Sequence, residues 1–492
     1  MSTSTTNAAE QPFSIKTIIG PLLAVIVGMI MVILDSTVVN VALPTLVDYF
    51  HTDVNTMQWS ITAYTLALSA VIPLAGWLTD RFGAKRVFLI TIALFTIGSG
   101  LCALATTPSQ LIIYRVLQGL GGGMVAPIGM AMVFRLAPPG KTGAVMGMLG
   151  IPMMLGPALG PVLSGWLVEY ATWQWVFLIN LPIGIIAILV GMKFLPNIER
   201  KSVPQLDFLG ILLAPVAFAM LAFGVSEGGK DWGSASTLTG LIVGGVALIL
   251  FIIVELLHKQ PLLELRVFGS SDFTRGILVS WLSQIALFGS FVLVPFFLQR
   301  VMGYSPLEAG LFSLPQVLAT AVMMPLGGRL FDKIGARPLA MTGLAFVSVA
   351  LFMLSQVGID TSKGYIIWTL ILVGAGMGLS MMPINTHVLQ AAPRRLVGRV
   401  TPLTTAAQQV MVSFSVAGLT GYLSSQVTHY MPTSENPLTA LVSAFGDTYF
   451  LTAWVAVGGV ALALILRKSK PKAEEEGEAM GGEAKAAMMS GH

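Results

Sequence analysis

The chain has 492 residues, of which 55% are hydrophobic and only 10% charged, and its mean hydropathy is +0.82. Soluble domains carry about 25% charged residues, so a water-exposed enzyme on a single anchor is excluded and no enzyme activity is expected. The net charge of +4 and pI near 9.1 would admit nucleic acid, but the basic residues fall between apolar runs. Bilayer topology explains them there, and no nucleic-acid partner is expected.

A hydrocarbon layer of about 30 Å takes roughly 20 apolar residues per helix. Runs of that length recur from end to end and predict about fourteen spans: 17–42, 57–79, 87–105, 110–134, 142–168, 175–194, 208–225, 237–257, 275–299, 306–330, 338–357, 364–391, 401–426 and 444–466. The fold class is therefore an all-α polytopic membrane protein, with the lipid bilayer as its solvent. The first apolar run begins near Ile18 and continues past Leu34, too long for the h-region of a signal peptide. Polar residues 1–16 and the tail 467–492, with Glu474, Glu475 and Glu476, are expected to be disordered. The sole thiol, Cys102, lies in an apolar run, so an internal disulfide is excluded and no metal is expected.

Lys and Arg favour cytoplasmic connections. One alternate set of loops holds Arg81, Lys85, Arg86, Arg135, Lys141, Lys193, Arg200 and Lys201 in the first half. It continues with Lys259, Arg266, Arg275, Arg329, Lys333, Arg337, Arg394, Arg395 and Arg399, against Lys230, Arg300 and Lys363 in the opposite set. With an even number of spans both ends fall on the basic, cytoplasmic side of a cell membrane.

The segment Pro73-Leu74-Ala75-Gly76-Trp77-Leu78-Thr79-Asp80-Arg81-Phe82-Gly83-Ala84-Lys85 recurs as Pro325-Leu326-Gly327-Gly328-Arg329-Leu330-Phe331-Asp332-Lys333-Ile334-Gly335-Ala336-Arg337. Both copies follow a span on the basic side, and eight spans separate them, so the two halves run parallel. A plain six-plus-six duplication would separate them by six. The expected organisation is a six-helix bundle over 17–194, a linker with two inserted helices over 195–272, and a second six-helix bundle over 273–466.

Four motifs carry a resemblance. Gly76-x-x-x-Asp80-Arg81-x-Gly83-x-Lys85-Arg86 resembles the cytoplasmic loop signature of the major facilitator superfamily. Leu34-Asp35-x-Thr37-x-Val39-Asn40-Val41-Ala42-Leu43-Pro44 is similar to the first-helix motif of its fourteen-span drug:proton antiporters, the EmrB/QacA type. Arg115 with Gln118 and Gly119 resembles the buried-arginine motif. Pro152, Gly156, Pro157, Gly160, Pro161 and Gly165 resemble the antiporter motif of the fifth span. The resemblance implies the major facilitator fold, lipophilic small molecules and protons as partners, a monomer, and no cofactor beyond the coupling proton.

A carboxylate inside an apolar helix costs roughly 2.5–3.5 kcal/mol on insertion scales and usually serves function. Asp35 is the acid well inside a span, able to hold a proton when empty and release it to a cationic substrate. A structural carboxylate bonded to Thr37 or Asn40 is the alternative. Arg115 cannot titrate but can hold a fixed positive field, and the resemblance gives it and Gln118 a part in proton transfer. Gly156, Gly160 and Ser164 recur every four residues, which lets another helix approach closely, and the prolines bend the span; a seal between the halves is expected. Gly76, Asp80, Arg81, Gly83, Lys85 and Arg86, with Gly328, Asp332, Lys333, Gly335 and Arg337, are expected to latch the cytoplasmic side, Asp80 accepting from Arg81 or Arg86 or capping a neighbouring helix. Substrate contacts are sought among polar and aromatic residues within spans: Asp35, Asn40, Gln58, Trp59, Tyr64, Gln284, Gln316, Asn385, His387, Gln408 and Gln409. Dication exporters of the family tend to carry further intramembrane acids, so monocationic or neutral cargo is favoured. The alternatives are a dedicated exporter of one metabolite class (antibiotic, peptide or siderophore) on the same fold and a non-transporting membrane sensor or structural subunit.

Overall fold

The computed structural model describes residues 16–138, 140–197, 207–228, 231–258, 261–393, 396–432, 434 and 436–467. Among these every regular element is helical. Most of the two ends expected to be disordered, and the basic stretch 198–206, lie outside the described residues.

The chain opens with α1 (Lys16–Tyr49) and α2 (Val54–Val71), the latter capped by Asp53, which accepts from the Thr56 amide. Pro73 removes a backbone donor, and α2 tightens into a 3-10 turn at Ile72–Leu74 before continuing as α3 (Ala75–Phe82). The span expected over 57–79 is thus one bent rod. Then come α4 (Ala84–Ala103), α5 (Pro108–Leu136), α6 (Thr142–Tyr170), a single turn α7 (Trp175–Leu178) and α8 (Asn180–Phe194). The pair α9 (Phe208–Gly228) and α10 (Ala235–Leu257) follows. The last six are α11 (Ser271–Arg300), α12 (Pro306–Ile334), α13 (Ala336–Leu354), α14 (Lys363–Gln390), α15 (Val397–Tyr430) and α16 (Pro437–Ala463). Ser305 and Glu308 close a reciprocal capping box at the start of α12.

The duplicated loop has a backbone reason for its glycine. Gly83 (φ 90°) sits between α3 and α4, and Gly335 (φ 79°) between α12 and α13. A side chain is strained in that region, so both copies keep glycine where one helix stops and the next begins at once.

Eleven stretches among the described residues are long and apolar enough to cross a membrane by length and composition; α6, α11 and α15 are as long but are not among them. Large apolar residues cover the outside of the fold as well as filling its core. On α10 the inward face is Thr237, Gly240, Gly244, Ala247, Phe251 and Glu255, while Ile242, Val246, Ile249, Ile253 and Leu257 are exposed. Small residues let backbones approach, and large apolar ones face outward, the pattern expected where lipid is the solvent.

In the first half α1 packs on α5, α6 and α8, α2 on α5, and α4 on α5 and α8; in the second α12 and α13 pack on α14, and α16 on α11, α13 and α15. The hairpin α9–α10 touches both sets, α9 lying against α2 and α15. The halves meet along α6 with α12 and α5 with α15. At the end carrying the duplicated loops this seam is tight enough that a Cβ on Gly143 would collide with the Gly328 carbonyl.

Candidate functional site

Asp35 lies on α1 and is 1% exposed. Its Oδ2 takes Nη1 of Arg115, from α5, at 2.5 Å. Gln118, one turn along α5 and so on the same face, donates from Nε2 to Oδ1 at 2.8 Å and accepts from Arg115 Nη1 at 2.7 Å. Asn180, the first residue of α8, donates from Nδ2 to Oδ1 at 2.9 Å and to Ser99 Oγ of α4 at 2.9 Å. Ser99 in turn donates to the Phe177 carbonyl at 2.9 Å.

The cation is held as closely as the anion. Arg115 Nε donates to the Ser60 carbonyl at 3.1 Å, and the Tyr64 ring, one turn further along α2, lies 3.9 Å from the guanidinium carbon. A buried ion pair keeps its charges only when its remaining lone pairs and protons are also satisfied, and the two amides with the Ser60 carbonyl do this. Every one of these groups comes from α1, α2, α4, α5, α7 or α8. The acid therefore sits inside the first set of helices, away from the seam and from solvent.

Several expectations take a definite place here. Thr37 donates to the Ile33 and Leu34 carbonyls of its own helix and to the Gly156 carbonyl, so it is no partner of Asp35. Tyr64, sought as a substrate contact, belongs to the shell of Arg115. Trp59 is 45% exposed and stacks on Phe223 of α9, with ring centres 6.0 Å apart; Gln58 is half-buried. Gly156 and Gly160 lie against Ile33 and Thr37, and Ser164 donates to the Val38 carbonyl at 2.7 Å. That stripe of α6 therefore packs on α1 within one half, and it is the earlier part of α6, at Gly143 and Gly147, that meets α12. The surroundings of Asn40, Pro152, Pro157, Pro161 and Gly165 lie outside the described residues.

A second polar cluster forms in the other half. Gln408 of α15 donates from Nε2 to Asn385 Oδ1 of α14 at 2.7 Å and to Ser280 Oγ of α11 at 3.2 Å. Gln284 lies one turn along α11 and is buried, Gln409 is half-buried, and Gln316 is buried with Nε2 3.6 Å from Met377 Sδ. His387 is buried beside Gly276. Ser280 had no signal of its own, being one of many serines within spans.

The duplicated aspartates both reach across the seam. Asp80, 4% exposed, pairs with Nε of Arg399 at the start of α15 at 3.1 Å, and Arg399 Nη1 donates to the Pro261 carbonyl at 3.2 Å. Gly76 lies beneath the Gly398 carbonyl. Asp332 accepts from the amides of Gly143 (2.8 Å) and Ala144 (2.9 Å), so it caps the start of α6. Arg81 and Arg86, offered by the sequence as partners of Asp80, are exposed, as are Lys333 and Arg337. Lys85 donates to the Met192 carbonyl at the end of α8 at 2.8 Å. Arg399, read from the sequence as a topogenic charge, is the residue that reading missed. Among the described residues no three His, Cys, Asp or Glu side chains come close enough to hold a metal ion.

Comparison with known proteins agrees with this architecture. The family model of the Major Facilitator Superfamily matches residues 25–416. The chain is 35% identical over 411 residues to the multidrug resistance protein B homolog of Mycobacterium tuberculosis (strain ATCC 25618 / H37Rv), covering 82% of this chain and 76% of that one. It is 32% identical over 442 residues to the lincomycin resistance protein LmrB of Listeria innocua, covering 89% and 94%. Among solved structures it is similar to the proton:xylose symporter XylE bound to 6-bromo-6-deoxy-D-glucose, with a TM-score of 0.64 at 16% identity over 93% of this chain and 98% of that one, a likeness of fold alone. With that family model matched over residues 25–416 and relatives above 30% identical along most of the chain, the chain belongs to the Major Facilitator Superfamily.

Proposed function

We propose that the chain is a proton-coupled multidrug efflux antiporter that exports lipophilic, monocationic or neutral compounds by alternating access. In this reading it has fourteen spans of the EmrB/QacA type, lies in the cytoplasmic membrane as a monomer, and keeps both ends in the cytoplasm. The names of its relatives, which include multidrug and lincomycin resistance proteins, support drug-like cargo. The observation that carries the coupling is the Asp35–Arg115 pair sealed within apolar helices.

A proton reaching Asp35 removes the partner of a guanidinium that cannot itself deprotonate. A buried charge stripped of its partner costs roughly 3–5 kcal/mol, which shifts an equilibrium by about two to four orders of magnitude. Protonation therefore favours any rearrangement of α1 against α5 and α8 that re-solvates Arg115, and release of the proton restores the sealed state. Because Asp35 faces neither the seam nor solvent here, cargo acts on it through these helices instead of by direct displacement. Cargo itself is proposed to meet the Ser280, Asn385 and Gln408 cluster. The contacts made by Asp80 and Asp332 close the end that carries the duplicated loops, which this reading places in the cytoplasm. Inward proton movement is assisted by the membrane potential, worth about 2.3 kcal/mol per charge per 100 mV.

The test is export from proteoliposomes under an imposed proton gradient. Wild type should move drug against protons, and Asp35→Asn should bind drug without gradient-driven export; unchanged export by Asp35→Asn would overturn the coupling. The name of LmrB gives weight to a narrower reading, an exporter of one antibiotic class. A toxicity profile in an efflux-deficient bacterium separates the two, since a dedicated exporter protects against one chemical class only.

A further inference from the structure

The groups around the Asp35 carboxylate are all donors. Arg115 Nη1 faces Oδ2, while Gln118 Nε2 and Asn180 Nδ2 face Oδ1. This suits an ionised acid. A protonated acid carries a hydroxyl that needs an acceptor, and in a site 1% exposed no bulk water supplies one. Oδ2 faces the guanidinium, which has no acceptor atom, so the proton must settle on Oδ1, against the two amides.

The amides are not equivalent. Gln118 Oε1 already accepts from Arg115 Nη1 and lies 3.7 Å from Cys102 Sγ. Turning that amide over would press its NH2 group against the guanidinium, donor against donor. Asn180 is free of this conflict: it is 0% exposed, and its Oδ1 has no hydrogen-bond partner among the described residues. Turned end for end, it brings that oxygen to the position Nδ2 holds, 2.9 Å from both Asp35 Oδ1 and Ser99 Oγ. The Ser99 hydroxyl can then swing its hydrogen from the Phe177 carbonyl to Asn180. That exchange releases the Phe177 carbonyl from Ser99, a cost that falls on the protonated state.

Building on the proposed coupling, we propose that Asn180 is the positioning residue that lets Asp35 change protonation state inside a sealed site, by reversing its side-chain amide. With Asp35 ionised the amide donates to Oδ1; with a proton on Oδ1 it accepts. The titratable and charged groups facing the acid are Tyr64 from α2, Cys102 from α4 and Arg115 from α5, while α6 faces this part of α1 with Gly156 and Gly160. Arg115 has no acceptor atom, the Cys102 thiol is turned to Gln118 Oε1, and the Tyr64 hydroxyl makes no hydrogen bond to Asp35 among the described residues. The reversal works because the break after α7 sets Asn180 as the first residue of α8, beside both Asp35 and Ser99.

Infrared difference spectra of the purified full chain, taken between acid and alkaline pH, test this without a substrate. Wild type should show a protonated-carboxyl band that is lost in Asp35→Asn. With 13C in the side-chain carbonyl of asparagine, an isotope-shifted asparagine band should accompany it and vanish in Asn180→Leu. In Asn180→Leu the carboxyl band itself should move to higher frequency, as its acceptor is gone, and Asn180→Gln, which keeps a reversible amide, should move it back. A carboxyl band left in place by Asn180→Leu, or the lack of any labelled asparagine band, would overturn the role of Asn180 while leaving the coupling intact. Absence of any Asp35-dependent band in wild type would overturn the coupling and this inference together. If Asn180→Leu fails to fold, the labelled asparagine band in wild type, present or absent, still decides.

Discussion

Replacing Asp332 by alanine tests whether the duplicated loops are latches. Its carboxylate accepts from the Gly143 and Ala144 amides at the start of α6. A hydrogen bond to a charged group contributes about 1.5–3 kcal/mol, and a carboxylate at a helix N-terminus adds about 0.3–1 kcal/mol. Asp332 is half-buried at the rim, so solvent screening lowers the total to roughly 2 kcal/mol. That amounts to about a 30-fold loss of the closed end relative to the open one. Spin labels at Phe82 and Ile334, both exposed and on opposite sides of the seam, report the opening by pulsed electron resonance. The sole native thiol, Cys102, is buried and stays out of the labelling. Wild type should give one short distance and Asp332→Ala a second, longer population. An unchanged distance distribution in Asp332→Ala, with the protein still folded, would refute the latch.

The Asp35–Arg115 pair should behave as a unit in thermal unfolding. Arg115→Leu alone, leaving Asp35 buried and unpaired, is expected to cost about 3–5 kcal/mol, and Asp35→Asn combined with Arg115→Gln to recover most of it; additive losses would argue against the pairing. Gln408→Ala unties Asn385 from Ser280. Drug affinity of that variant in equilibrium binding should fall about tenfold, the worth of roughly 1.4 kcal/mol, with the Asp35 carboxyl band unchanged. Equal affinity would remove this cluster from the cargo site.

What the sequence determined by itself is whatever depends on composition or on one stretch of chain. Scarce charge and long apolar runs fixed a helical membrane protein, because an unsatisfied backbone in lipid leaves few alternatives. The repeat around Asp80 and Asp332 located both latching loops, and Gly83 and Gly335 marked where one helix ends and the next starts. Asp35, Arg115 and Gln118 stood out singly, since intramembrane polar groups are expensive.

Tertiary packing alone decided how these pieces meet. Asp35 and Arg115 are 80 residues apart in the chain and touch only because α1 and α5 lie together. Asn180 lies within the span expected over 175–194 and belongs to none of the motifs, so only the packing of α8 beside α1 and α4 makes it a partner of Asp35. Arg399 looked like one more topogenic charge until α15 was laid against α3. The glycine stripe of α6 announced a close approach but not to which helix, and the fold gave it to α1. Local spacing fixes which face a residue occupies; the identity of the neighbour across that face is set by how all the helices pack at once.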